Sequence, residues 1–364
     1  MSLSRHLLTA ALLAACLAHT TRAAEVKLPP TSGVVLTPDT KTIIAAVTGD
    51  GAIVYIGVET EKMIKKVELD FKPVAMAVQG KSLFVSTKGS ATIHVLDLDT
   101  GKEQKEIKIP GEPVVNLACH ATKGLLYATN SSDEVYAVDA EKGKATMTKA
   151  RGQMILVDQK DGKFVYTGIQ KPIRDKLVIE QGPNETATVS LMTTGARALI
   201  LKFAVDGTGL KLAAAQDNAA LNGKVLALSP DGKRIAMAGG GGWVSKTTGK
   251  YNYGIAVFET EDLKTMVGEV ECGAYPYSIS FHPILNIGIA VKRENELIVF
   301  NGKSLAKKQS IKAPGGEPAL VLYALEGTKL VQHVNSGVES IISFHALQLS
   351  EQDKEALKAA YQKK

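Results

Sequence analysis

The sequence contains only three cysteines and one tryptophan, and its apolar runs are too short to cross a bilayer. The longest N-terminal run, at residues 7–15, is less than half of the about 20 residues that a membrane-spanning helix needs. Beyond Cys16, the only cysteines are Cys119 and Cys272. With 45% apolar residues, 22% charged residues and 33 glycines, the composition excludes a disordered or membrane-spanning chain and indicates a globular protein rich in tight turns.

Recognisable catalytic and metal-binding motifs are also missing. The sequence has neither a Gly-x-Ser-x-Gly elbow nor a His-Glu-x-x-His motif, and no two histidines have the spacing of metal ligands. We therefore expect no catalytic residue, metal or cofactor. Structural roles are expected for the histidines that follow the N-terminal segment, which are His94, His120, His282, His333 and His345.

The charged residues do not indicate a nucleic-acid surface. The formal net charge is +6, and it falls to +4 once Arg5 and Arg22 leave with the N-terminal segment. Lysines are interspersed with carboxylates, as in Lys62–Glu68, which is typical of a solvated surface and not of a stripe that follows phosphates. We expect no nucleic-acid partner.

Residues 1–23 have the pattern of a signal peptide. Arg5 and His6 precede the apolar run, and small residues at Ala23 and Ala24 precede Glu25. The alternative is cleavage before a lipidated Cys16, because Leu-Ala-Ala-Cys at 13–16 resembles the processing site of bacterial lipoproteins. Either interpretation predicts export to the periplasm or cell envelope, with a lipid on Cys16 as the only expected membrane anchor.

A strand-turn unit returns about every forty residues from Ser32 onward. The first apolar residue of the second strand falls at Ile43, Leu83, Leu125, Phe164, Ile235, Ile287 and Leu330. The intervals are 40, 42, 39, 71, 52 and 43 residues, which describes seven units with two insertions. A repeat of this period built from short strands predicts a β-propeller.

Turn chemistry separates the strands of each unit. A proline precedes the first strand in four units, at Pro73, Pro113, Pro276 and Pro318. Ser-Pro-Asp-Gly-Lys at 229–233 and Asp-Leu-Asp-Thr-Gly-Lys at 97–102 supply hairpin turns. Each unit is therefore predicted to be a four-stranded meander. Cys119 and Cys272 then lie at opposite ends of their units, so we expect two unpaired thiols.

These motifs, together with Tyr-Ala-Thr-Asn at 127–130, resemble those of the YVTN-type and WD-repeat-like seven-bladed propellers of bacterial exported proteins. The resemblance covers roughly residues 32–349 and implies an all-β ring of seven four-stranded blades. It implies little about function, because propellers serve many unrelated functions.

A closed ring requires an outer strand for the seventh unit, which shows three strands before its pattern ends. We expect that strand from residues 25–28. After Leu349 the pattern predicts a docked helix, with a capping box at Ser350 and Asp353 and an apolar face of Ala356, Leu357 and Ala360. The predicted organisation is a signal segment at 1–23, a propeller at 24–349 and a C-terminal helix at 350–364.

The two long intervals correspond to insertions at 171–197 and 239–253, in units four and five. Both fall between second and third strands, so both are predicted on the same face of the ring, here called the insertion face. The first insertion predicts an extra hairpin. The second contains four consecutive glycines followed by the only tryptophan.

Cationic and aromatic side chains on such loops suit a binding site. The candidate ligand-binding residues are Lys171, Arg174, Asp175, Lys176, Glu180, Arg197, Trp243, Lys246, Lys250, Tyr251 and Tyr253. Structural interpretations stay open beside this one: a capping hairpin without a ligand, a solvated basic loop, or a tryptophan that covers its neighbouring hairpin.

Two functional hypotheses follow. The favoured one is a monomeric, non-enzymatic module that binds a protein or a small anionic ligand on the insertion face. The alternative, implied by the resemblance, is a lactonase-like hydrolase at the channel mouth on that face, for which Arg174, Asp175, Glu180 and Arg197 are the clustered candidates. A quinoprotein dehydrogenase is disfavoured, because those rings carry a tryptophan motif in most blades.

Overall fold

The computed structural model describes residues 24–120, 124–170, 176–182, 185–190, 197–241, 243–244, 251–252, 254–273, 275–292, 296–313 and 317–362. For most residues of the two inserted hairpins it describes the backbone only. The fold is a ring of seven blades, each made of four antiparallel strands, which confirms the predicted all-β propeller. Within the described part of the chain, no helix is both long and apolar enough to traverse a bilayer.

The first three blades are separate meanders. Blade one comprises β2 (Gly33–Leu36), β3 (Thr42–Val47), β4 (Ala52–Gly57) and β5 (Lys62–Glu68). Blade two comprises β6 (Pro73–Gln79), β7 (Ser82–Thr87), β8 (Thr92–Asp97) and β9 (Glu103–Lys108). Blade three comprises β10 (Val114–Cys119), β11 (Leu125–Asn130), β12 (Glu134–Asp139) and β13 (Lys144–Arg151). Second and third strands are buried on both faces, as in β4, because each is covered by a neighbouring blade on either side.

Blades four and five share one long strand. Blade four comprises β14 (Met154–Val157), β15 (Phe164–Ile169), β18 (Arg197–Asp206) and the first part of β19 (Gly209–Leu228). Blade five comprises the rest of β19, β20 (Arg234–Gly241), β23 (Ile255–Glu259) and β24 (Met266–Val270). The chain reverses direction around Asn222, whose φ is 52°. The sequence predicted separate meanders here, but strand pairing continues through this reversal, so the two blades form a single seven-stranded sheet.

Each insertion adds a small hairpin between second and third strands. The hairpin of blade four pairs β16 (Lys176–Gly182) with β17 (Glu185–Ser190). The hairpin of blade five pairs β21 (Trp243–Val244) with β22 (Tyr251–Asn252).

The N-terminal strand completes the last blade. Blade six comprises β25 (Pro276–Phe281), β26 (Ile287–Lys292), β27 (Glu296–Asn301) and β28 (Lys307–Lys312). Blade seven comprises β29 (Glu317–Ala324), β30 (Lys329–Asn335), β31 (Ser340–Ala346) and, as its outer strand, β1 (Ala24–Leu28). Strand β1 pairs with β31 over its whole length, as the sequence predicted for residues 25–28.

Seven apolar clusters fill the gaps between adjacent blades. In one of them Tyr127 of blade three packs with Phe203 of blade four, and in another Ile43 of blade one packs with Phe344 of blade seven. An open row of seven blades would have six such interfaces, so the interface between blades seven and one closes the ring. Each fully buried aliphatic side chain in these clusters contributes about 1.5–3 kcal/mol.

Two buried histidines connect neighbouring blades, in the structural role expected for them. Nε2 of His120, after the inner strand of blade three, donates to the carbonyl oxygen of Gly162 in blade four at 2.9 Å. Nε2 of His282, in the same position of blade six, donates to the carbonyl oxygen of Gly327 in blade seven at 3.1 Å. His282 Nδ1 accepts the backbone N–H of Leu285 at 2.8 Å, which fixes the neutral tautomer.

A short helix, α1 (Glu351–Tyr361), docks after the last blade. Ser350 and Asp353 form the predicted capping box. Leu357 is buried in the cluster between blades six and seven, with Tyr361 packed against that cluster. The prediction that Ala356 lies on the apolar face was wrong, because Ala356 is exposed. The side of the helix that faces the ring instead carries Leu357 and Tyr361, which are four residues apart.

Candidate functional site

The two inserted hairpins begin and end side by side. Leu221 in β19 pairs with Arg197, the last residue of the blade-four insertion and the first of β18. On its other side, Leu221 pairs with Gly241, the last residue of β20 before the blade-five hairpin. One backbone position thus joins the bases of both insertions, so they emerge next to each other from the same end of the ring.

Five of the eleven predicted site residues lie in strands that the structure describes. Lys176 and Glu180 lie in β16, Arg197 begins β18, Trp243 begins β21 and Tyr251 begins β22, and of these residues the structure describes the backbone. Lys171, Arg174, Asp175, Lys246, Lys250 and Tyr253 lie outside the described residues, as does the candidate lipidation residue Cys16. The site composed of these side chains therefore stays a prediction.

Three of the six large apolar side chains that are exposed among the described residues lie on the insertion face. Val338 lies in the turn between β30 and β31 and is 82% exposed. Tyr275 lies between blades five and six and is 43% exposed, and Val115 near the start of β10 is 39% exposed. Tyr275 also has a φ of 57°, a left-handed conformation that costs a non-glycine residue about 1–2 kcal/mol. Among the described residues, the other exposed large apolar side chains, Met63, Ile64 and Met147, lie on outer strands.

A groove of about 470 Å³ also opens on the insertion face, between blades seven, one and two. Its lining includes Ser32, Thr48, Val74, Lys88 and Glu339. Two hydrogen bonds in the groove join blade one to blade two. The hydroxyl of Ser32 donates to the carbonyl oxygen of Val74 at 2.6 Å, and the hydroxyl of Thr48 donates to the carbonyl oxygen of Pro73 at 2.6 Å. The groove is thus fixed in shape by contacts between adjacent blades.

A larger cavity, of about 720 Å³, opens at the opposite mouth of the central channel. We call it the axial cavity. Its walls are the ends of the inner strands of blades two to six, with apolar side chains that include Val78, Ala118, Leu156, Leu228 and Phe281. Its polar rim is formed by Asp158, Gln159, Lys160 and Ser229. A volume of this size is within the range of small-molecule sites.

Burial disfavours the charged forms of Asp158 and Cys119 in the axial cavity. Burial raises the pKa of Asp158, and the neighbouring Asp161 carboxyl raises it further, although the backbone N–H of Lys160 opposes the shift with a hydrogen bond of 3.0 Å. Burial also raises the pKa of Cys119 to about 12. The Cys119 thiol therefore stays protonated at neutral pH, which makes it a poor nucleophile. With Cys119 protonated, the lining of the cavity offers a ligand apolar contacts and hydrogen bonds, but not a thiolate nucleophile from Cys119.

The axial cavity was not predicted from the sequence. Its walls come from the ends of five inner strands and from residues just after them, at the same position of each blade. No contiguous segment carries the signal, because the residues meet only when the ring closes. The exposed Tyr275 was also missed, although its position directly before the proline of an inner strand marks it as a loop residue.

The sequence matches no protein-family model, and no curated protein matches it at a significant level. Its fold, in contrast, is similar to that of 1632 chains of known structure, so the fold alone does not indicate one function.

Two of these structures illustrate the similarity. A chain of Kuenenia stuttgartiensis hydrazine synthase is 14% identical, with a TM-score of 0.62 over 92% of this chain and 99% of that one. The β-propeller domain of Cps50 (Swd1) from Myceliophteria thermophila is 12% identical, with a TM-score of 0.65 over 89% of this chain and 99% of the domain. Identities this low show the propeller fold and nothing further about activity.

Proposed function

We propose that this chain is an exported, YVTN-like propeller that acts as an interaction module and binds a partner protein on its insertion face. The observation that carries the proposal is the double pairing of Leu221, which joins the bases of the two inserted hairpins. Every exposed turn of the ring can tolerate an insertion, yet both long insertions of this chain lie side by side on one face. Their proximity indicates that the two hairpins contribute to one binding surface.

The apolar side chains of that face support a protein partner over a small anion. Val338, Tyr275 and Val115 expose apolar area around the channel mouth, next to the groove lined by Lys88 and Glu339. Protein interfaces combine exposed apolar anchors with a polar rim of this kind. Nothing among the described residues favours the lactonase alternative, whose four candidate side chains are not described.

The test is quantitative affinity capture from native envelope extract, with residues 24–364 as bait. A variant that lacks residues 173–195 tests the hairpin of blade four. Val338→Asp tests whether the binding surface extends around the mouth, and Met63→Asp is the matched control, because Met63 is an exposed apolar residue on an outer strand. Circular dichroism and thermal unfolding establish beforehand that each variant is folded.

We expect one protein whose recovery falls in the deletion variant and in Val338→Asp but not in Met63→Asp. Recovery of the same proteins by all four baits would contradict a binding role for the insertion face. If recovery of the captured protein falls equally in Val338→Asp and Met63→Asp, the added charge has a general effect, and the proposal is contradicted as well.

A further inference from the structure

An imidazole and two carboxylates converge near the outer edge of blade two. His94 lies in the third strand, β8, and Glu103 and Glu106 lie in the outer strand, β9. Nδ1 of His94 is 3.0 Å from Oε1 of Glu103 and 3.8 Å from Oε1 of Glu106. The three potential ligand atoms lie within 4.8 Å of one another.

A β-bulge brings both carboxylates to the same side of the blade. Glu103 and Glu106 are three residues apart, and in a regular strand such residues point to opposite faces. The register shifts after Val95, so that Glu106 lies opposite His94 while Glu103 lies opposite Leu96. The extra residue, Gln104, changes the direction of the side chains that precede it, and both glutamates therefore reach His94.

The bulge recurs in other blades, whereas the three ligand residues do not. Blades one, five and six show the same register shift between third and outer strands. The position of His94 is apolar in all three, with Val54, Ala256 and Ile298. The two glutamate positions hold Lys66 and Met63 in blade one, Glu269 and Met266 in blade five, and Ser310 and Lys307 in blade six. The blade architecture therefore does not require this cluster.

The imidazole is held in place while the carboxylates reach solvent. The side chain of His94 is 7% exposed, and its ring stacks on Phe71 with centroids 3.6 Å apart and an interplanar angle of 9°. Burying an imidazole where related blades bury a hydrocarbon is costly unless its polar atoms are paired. Glu103 and Glu106 are 36% and 51% exposed, so an ion can approach from the surface.

We propose that His94, Glu103 and Glu106 bind a divalent transition-metal ion, and that Zn²⁺ is the ion this donor set suits. Zn²⁺ takes imidazole nitrogen and carboxylate oxygen at about 2.0–2.2 Å, so ligands around a tetrahedral ion are about 3.3 Å apart. The distances of 3.0 and 3.8 Å from Nδ1 bracket that value. Mg²⁺ and Ca²⁺ prefer oxygen ligands only, and a site built on an imidazole disfavours them.

Three protein ligands leave a fourth position for water, and the bound ion would tie the outer strand β9 to β8. The spacing of histidines along the chain could not indicate this site, because it contains a single histidine. Strand pairing, and not sequence proximity, brings the carboxylates to it.

The test is Zn²⁺ titration of residues 24–364, purified with a histidine-free tag and freed of metal with a chelator, by isothermal titration calorimetry. Glu103→Gln and Glu106→Gln keep side-chain size at exposed positions, and His94→Val introduces the residue that blade one holds there. Glu59→Gln, an exposed carboxylate elsewhere in the ring, is the control. Visible absorption of bound Co²⁺ reports the ligand set independently.

We expect one Zn²⁺ per chain, with affinity reduced at least about tenfold by each of the three substitutions and unchanged in Glu59→Gln. The Co²⁺ spectrum should be lost in His94→Val, and Mg²⁺ should give no binding at the same concentration. Absence of Zn²⁺ binding by the unaltered chain would overturn the proposal and leave a hydrogen-bonded histidine–carboxylate pair. Undiminished binding in all three variants would overturn it as well, by placing the ion elsewhere.

Discussion

Substitution of Gly162 by alanine should destabilise the ring far more than the same change at another left-handed glycine. Gly162 has a φ of 65°, and an added Cβ would lie 2.0 Å from Cε1 of His120. Gly143 has a φ of 63° with nothing within 4 Å of its Cβ position, which makes it the matched control. At both sites the left-handed conformation costs alanine about 1–2 kcal/mol.

At Gly162 two further costs arise. The His120 ring is 1% exposed, so it can move away only by overpacking its surroundings, at about 1–3 kcal/mol. Its displacement also breaks the 2.9 Å hydrogen bond to the Gly162 carbonyl oxygen, and leaving those buried groups unpaired costs about 1–3 kcal/mol. Gly162→Ala should therefore lower the free energy of unfolding by about 2–6 kcal/mol more than Gly143→Ala.

A double-mutant cycle isolates the contact. In a His120→Ala background the imidazole is gone, and Gly162→Ala should cost only the backbone term. The two changes should therefore be non-additive by about 2–6 kcal/mol. The assay is urea unfolding followed by far-UV circular dichroism. Equal costs at Gly162 and Gly143, or additivity of Gly162→Ala with His120→Ala, would refute the reasoning.

Three further predictions concern pH, the terminal helix and the thiols. Burial lowers the pKa of His333 from 6.5 to about 4, so the unfolded chain binds the proton more tightly than the folded chain does. The free energy of unfolding should therefore be highest above pH 6.5 and fall by up to about 3 kcal/mol toward pH 4. Urea unfolding at a series of pH values should show a smaller decline for His333→Gln. Leu357→Asp should release α1 and expose it to proteolysis while the ring stays folded, whereas Ala356→Asp, at an exposed position, should not. Cys119 and Cys272 are unpaired, and because burial raises the pKa of each to about 12, neither should react with a thiol reagent until the chain unfolds.

The repeat was predictable from the sequence because its signals are local. In the turn at 229–233, the Ser229 hydroxyl donates to Asp231 at 2.6 Å, and Gly232 takes a φ of 70°. Such contacts span a few residues, so the residue types alone determine them. The face on which both hairpins lie was also predictable. In every four-stranded meander of the ring, the connection between second and third strands lies at the same end of the blade.

The remaining features depend on contacts between distant segments. The reversal of β19 lies at Asn222-Gly223, a dipeptide common in tight turns, but that dipeptide does not show that strand pairing continues through the turn. The axial cavity is formed by residues from five blades and depends on closure of the ring. The His94 cluster is formed by residues of two paired strands and depends on a β-bulge. The candidate site on the hairpins could be placed on a face, whereas its side-chain arrangement could not be derived.

The closure of the ring by β1 has a consequence for the order of folding. Lys27 and Glu339 are 312 positions apart in the chain, yet their side chains form an ion pair at 3.2 Å. Bringing the ends of a segment of that length together costs about 5 kcal/mol of chain entropy, which only the complete set of blade contacts offsets. Strand β1 can therefore pair only after β31 has been synthesised. A chain truncated before β31 would leave β1 and the edge of β30 unpaired, and exposed strand edges of this kind promote aggregation.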